Sequence, residues 1–93
     1  MIQSFACKAT EALFDRNSVK KIPNNIQRIA LRKLRILDAA VSLADLRIPP
    51  GNRLEPLQRE REGQWSIRIN RQWRICFSFR DSNAFDVEIT DYH

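Results

Sequence analysis

Residues 65–90 read WSIRINRQWRICFSFRDSNAFDVEIT, and their period decides the fold. Trp65, Ile67 and Ile69 occupy alternate positions. So do Trp73, Ile75, Phe77 and Phe79, and then Phe85, Val87 and Ile89. Such alternation marks strands that bury one face and leave the other polar. Two short polar breaks, Asn70-Arg71-Gln72 and Asp81-Ser82-Asn83, separate the runs. Breaks this short favour an antiparallel meander. The residues in between, Arg68, Arg74, Cys76, Ser78, Glu88, Thr90 and Tyr92, fall on the other face, which is expected to be open and polar.

The helices that cover the apolar face lie upstream. From Asn24 to about Val41, residues Ile26, Ala30, Leu34, Leu37 and Val41 fall on one side of a helix. Lys33 interrupts that stripe, and its stem is expected to snorkel outward. Arg28, Arg32 and Arg35 gather on the opposite side, either as a solvated helix back or as a nucleic-acid or ribosome contact. Thr10-Glu-Ala-Leu-Phe14 fits a short helix with Thr10 as N-cap, and Ile2–Phe5 fits an opening strand. Ser42–Leu46 suits one further helical turn, and Ile48-Pro-Pro-Gly-Asn52 must break regular structure. The charged stretch from Arg53 to Gly63 reads as a loop or distorted strand at the sheet's rim. The expectation is one α+β domain over residues 1–93, a small antiparallel-rich sheet with two to three helices on one face.

Composition narrows the partners. Sixteen Lys and Arg against eleven Asp and Glu give a net charge of +5, which favours a polyanion or an acidic protein partner. Cys7 and Cys76 have neither metal-ligand spacing nor a disulfide framework, so two free thiols in a reducing cytosol are expected. No apolar run approaches the ~20 residues of a membrane span. Met1-Ile-Gln-Ser-Phe5 lacks the basic start and apolar stretch of a secretory leader, so a cytoplasmic location is expected.

The tail Asp91-Tyr92-His93 holds the single histidine of the chain. If the last two strands pair, Arg74 approaches it. Cleaving RNA at a 2′-hydroxyl takes a base, an acid for the leaving 5′-oxygen, and positive charge on the phosphate. Arg74 offers a rigid cationic fork, and His93 titrates near neutrality. Tyr92 suits either proton donation or base stacking, and Glu55 and Asp91 are candidate bases. Such a set requires no metal or cofactor. The plainer alternative is that Arg74 pairs with Glu88 across the sheet. In either case Arg74 is expected to project from an open face, where its removal costs little stability.

Leu57 to Gly63, Trp65-Ser-Ile, Trp73-Arg-Ile and Asp91-Tyr92-His93, in this order and spacing, resemble the HigB-type toxins of the RelE/ParE superfamily. Pro50-Gly-Asn-Arg-Leu-Glu55 is most similar to their slower-acting GraT-like branch. The resemblance covers nearly the whole chain. It implies a microbial-RNase-like fold, ribosome-dependent cleavage of mRNA, and neutralisation by a helix-turn-helix, HigA-like antitoxin. It also implies catalytic or substrate-placing roles for Arg74, Asp91, Tyr92 and His93. Where better-known members carry His-Pro-Leu-Lys, this chain carries Glu55-Pro-Leu-Gln58. Glu55 can still act as a base. Gln58 can bond a phosphate without neutralising it, so the same chemistry at a lower rate is expected. Arg53, Arg61 and Arg68 are candidate RNA-backbone contacts, or else partners of nearby glutamates. The ParE branch leaves another outcome open, a non-cleaving inhibitor of gyrase or of the ribosome.

Overall fold

In the computed structural model, which describes residues 1–17 and 19–91, two helices lie against a four-stranded sheet. Helix α1 spans Lys8–Phe14 and α2 spans Asn24–Ala39. Strands β1 (Glu55–Pro56), β2 (Trp65–Arg68), β3 (Trp73–Arg80) and β4 (Asn83–Asp91) follow in the order β1-β2-β3-β4, every pair antiparallel. This is the expected α+β meander. Short 3-10 turns at Leu43–Arg47, Pro50–Asn52 and Arg59–Arg61 fill the connections.

The core is what the two periods required. Ile26, Ala30, Leu34 and Leu37 of α2 and Leu13 of α1 are buried with Ile67, Ile75, Phe77, Val87 and Ile89 of the sheet. Trp65 and Trp73 pack at its margin, half-buried. The helix stops at Ala39, before Val41, which is 67% exposed rather than part of the stripe. The cause is local. The Asp45 carboxylate accepts the amides of Val41 (2.9 Å) and Ser42 (3.2 Å), closing a capping box that starts the next turn.

The N-terminal readings shift for a related reason. Cys7 caps α1, and Thr10 sits inside the helix, fully buried. Its Oγ1 accepts the Ile89 amide at 3.0 Å. Residues 2–5 form no full strand. They run parallel beside β4, with bridges at Ile2–Ala84 and Phe5–Val87. The amides of Ala84 and Val87 donate to the Met1 and Ser4 carbonyls at 3.0 and 3.1 Å. A sheet edge with unpaired donors invites aggregation, and here that edge is covered from within.

Two expectations about the faces are corrected. Ile75 pairs with Ile89 and Cys76 with Glu88, but Ser78 pairs with Phe85, so β4 carries one extra residue. Asp86 takes the left-handed conformation, φ 54°, inside that bulge. The alternation therefore reverses at the bulge. Ala84 enters the core, and Phe85 leaves it to lie under the Arg80 guanidinium, 3.7 Å from the ring centroid. The second face is not open either. Ser66 and Cys76 are wholly buried there, and Arg74 is 8% exposed. The segment from Leu57 to Gln64 folds over them. Leu57 is buried, its amide bonds the Gln64 carbonyl at 2.8 Å, and Arg61 reaches Glu88 of β4 at 2.9 Å. The partner foreseen for Arg74 thus belongs to Arg61. No helix among the described residues is long and apolar enough to cross a membrane.

Candidate active site

Strand alternation puts Arg68, Arg74 and Thr90 in one row across β2, β3 and β4, and Glu55, Ser66, Cys76 and Glu88 in the next. Arg74 sits where the rows meet. Its Nε donates to Ser66 Oγ at 2.7 Å, and its Nη2 donates to the Arg53 carbonyl at 2.6 Å. The Glu55 carboxylate stands 3.9 Å from Nη2. Among the described residues, Nη1 has no hydrogen-bond partner. One edge of the fork is thus committed to the protein and the other is uncommitted. A fork fixed this way loses little rotamer freedom on meeting a planar or tetrahedral oxyanion.

The neighbours are basic and polar. Arg68, directly across from Arg74, turns its Nε to the Asn70 carbonyl at 3.0 Å, which keeps two like charges apart. Arg53 and Gln58 are exposed on the rim beside Glu55. Thr90, the cross-strand partner of Arg74, has a buried Oγ1 with no hydrogen-bond partner among the described residues. Buried hydroxyls are seldom left unpaired, and this one belongs to the residue paired with Arg74. Neither Ser66 nor Thr90 stood out in the sequence. Alternation assigned Thr90 to the correct face, but only tertiary structure puts either beside the guanidinium.

The other anticipated residues divide. Glu55 and Arg74 come together, with the main chain of Arg53 between them. Asp91 pairs with Trp73, one row beyond the Arg74–Thr90 row and so alternating to the helix side, and it accepts a bond from Gln72 Nε2 at 3.0 Å. Arg61 is tied to Glu88 and Gln64. Arg28, Arg32 and Arg35 are exposed on α2. They lie across the sheet from Arg74, where Arg28 lines a groove with Leu13, Arg16 and Leu31. Tyr92 and His93 lie outside the described residues.

Comparison with known proteins identifies the family. Residues 3–93 match the model of a family described as HigB-like, the RelE-like toxin of the type II toxin–antitoxin system HigB. Toxin HigB-1 of Vibrio cholerae is 49% identical over 66 residues, covering 71% of this chain and 70% of that protein. A Proteus vulgaris protein named Endoribonuclease HigB is 36% identical, with both chains fully covered. Among solved structures, the YoeB–YefM complex from Staphylococcus aureus contains a chain with the same fold. The TM-score is 0.58 at 20% identity, over 100% of this chain and 95% of that one. The chain is a member of the HigB-like family of RelE-like toxins, and its natural counterpart is an antitoxin.

Proposed function

We propose that this toxin is an endoribonuclease that cuts mRNA while it is being translated. The observation that carries the reading is the Arg74 fork, held along one edge by Ser66 and the Arg53 carbonyl, with Glu55 at 3.9 Å and Nη1 without a hydrogen-bond partner among the described residues. The full-length relative named an endoribonuclease supports it. In the step we infer, Glu55 removes the proton of a ribose 2′-hydroxyl. The freed oxygen attacks the adjacent phosphorus, and the bond to the 5′-oxygen breaks. His93, with Tyr92 beside it, returns a proton to that oxygen. The products are a 2′,3′-cyclic phosphate and a 5′-hydroxyl. Arg74 meets the charge that builds on the phosphate, the largest electrostatic demand of the reaction. Glu55 is preferred to Asp91 as base because it shares a face with Arg74.

The site carries no lysine at Gln58 and no histidine at Glu55, so it aligns substrate incompletely by itself. A ribosome holding mRNA in fixed geometry would supply the rest, an effect worth several orders of magnitude. Arg53 and Arg68 are suited to guide the backbone. The antitoxin we expect is a helix-turn-helix, HigA-like protein, meeting the basic surface that includes Arg28, Arg32 and Arg35. Primer extension on cellular mRNA after induction tests the reading. Cuts should fall inside translated frames, with little cleavage of naked RNA. Efficient cutting of ribosome-free RNA at matched concentration removes the ribosome from the mechanism. Growth arrest without any cut favours a non-cleaving inhibitor of gyrase or the ribosome.

A further inference from the structure

Lys33 is the one charged side chain of α2 that the fold buries, at 6% exposure, in a stripe where an apolar residue would suit the core. It does not snorkel. Its ammonium donates to Asn52 Oδ1, and Asn52 is itself completely buried. The Asn52 amide nitrogen spends its two hydrogens on the Leu46 and Ile48 carbonyls, at 3.1 and 3.2 Å. Every polar atom of that side chain is engaged, so its orientation is determined. A buried cation costs desolvation, and fixing one conformation is among the roles such groups serve.

What they specify lies one peptide away. Arg53 adopts a left-handed conformation, φ 44° and ψ 61°, which a residue with a Cβ holds only when its surroundings impose it. That conformation turns the Arg53 carbonyl to Nη2 of Arg74 at 2.6 Å. We propose that Lys33 and Asn52 are positioning residues for the site: through the turn that ends at Arg53, they hold the carbonyl that orients the Arg74 guanidinium. The proposal rests on the reading of Arg74 as the phosphate-binding group. Neither residue touches substrate, and Lys33 acts from the helix side of the sheet.

The test uses two substitutions in the full chain. Lys33→Met keeps the unbranched side chain one atom shorter, removes the desolvation cost and leaves Asn52 Oδ1 without its donor. Lys33→Gln restores an N–H donor without charge. Rotation about the Arg74 Cζ–Nη bonds, followed by 15N NMR, reports the anchoring of the fork directly. In Lys33→Met we expect rotation to speed up about tenfold. Single-turnover cleavage on ribosomes should fall by about 10- to 100-fold, the scale of a small misplacement of a catalytic group. Ribosome affinity and melting temperature should hold, and Lys33→Gln should recover most of the loss. Unchanged rotation in Lys33→Met overturns the proposal. So does a loss of cleavage that only follows the folded fraction, because that outcome describes a plain structural staple. Arg74→Ala, assayed cold enough to stay folded, separates the two claims. If it cleaves at the wild-type rate, the nuclease reading has failed, and the rotation measurement still decides whether the pair fixes the fork.

Discussion

Removing the Arg74 side chain strains fold and chemistry together, and the two effects are separable. Arg74 is 8% exposed and its guanidinium makes two short bonds, to Ser66 Oγ at 2.7 Å and to the Arg53 carbonyl at 2.6 Å. Bonds from a charged donor contribute about 1.5–3 kcal/mol each, and the desolvation of the cation offsets part of their sum. Glu55 adds little, since its side chain is 55% exposed and 3.9 Å away. Arg74→Ala should therefore destabilise the protein by about 2–4 kcal/mol. In a domain of this size that lowers the melting temperature by roughly 10 °C or more. This exceeds what an arginine on an open polar face would cost, because Ser66 and the Arg53 carbonyl hold the guanidinium. Cleavage should fall by about 10²–10³ beyond any loss of folded protein, comparable to losing one oxyanion donor. The assay pairs a thermal melt with single-turnover cleavage on ribosomes at a temperature where both proteins are folded. A melting temperature within 2–3 °C of wild type (~0.5 kcal/mol) would refute the anchoring argument. Undiminished cleavage by folded Arg74→Ala would refute the catalytic one.

Glu55→Gln keeps shape and removes the base, so single-turnover cleavage should drop about 10²-fold with an unchanged melt; equal rates would move the base elsewhere. Thr10→Val strands the Ile89 amide, which should cost about 1–3 kcal/mol and raise hydrogen exchange at that amide above its neighbours. Burial, and next the charge of Arg32, push the Lys33 ammonium below its ordinary 10.5. Folding then disfavours its protonated form, so the penalty is full below the lowered value and fades as pH rises toward 10.5. Denaturant melts of wild type minus Lys33→Met should show stability rising with pH in that window, and a flat difference would contradict the burial. Association with the antitoxin should slow as salt increases, because the basic face of α2 steers an acidic partner. Stopped-flow rates that stay constant from low to high salt would exclude steering.

Local pattern carried the sheet and the core of α2, because periods of 2 and 3.6 report which side of an element is buried. It failed where one residue resets the count. Asp86 in a left-handed conformation costs little locally, so nothing in the run from Phe85 to Thr90 announces the bulge that exchanges Phe85 for Ala84. It failed again where a buried group finds its partner far along the chain. Lys33 looked like a defect because Asn52, which satisfies it, lies 19 residues away. Arg74 was singled out from the sequence as a candidate for binding phosphate. Its burial was not legible, since Ser66 on the neighbouring strand and the Arg53 main chain, 21 residues upstream, hold the guanidinium. Glu55 was recognisable from chemistry, whereas the contribution of the Arg53 carbonyl follows from a backbone angle that composition does not encode.

The closed edge of β4 has a consequence for when the fold can be completed during synthesis. The Thr10 hydroxyl and the Ile89 amide are 79 residues apart, and the Ser4 hydroxyl and the Asp86 amide are 82 apart. At about 5–20 residues per second, a ribosome needs roughly 4–16 s to supply the partner that Thr10 awaits. Until then the Thr10 hydroxyl lacks the amide it accepts. Thr90, beside the Arg74 fork, emerges one residue later still. Edge and site are thus completed by the same late stretch of chain. A product cut short before residue 89 lacks both the Thr10–Ile89 bond that closes this edge and the Thr90 that pairs with Arg74.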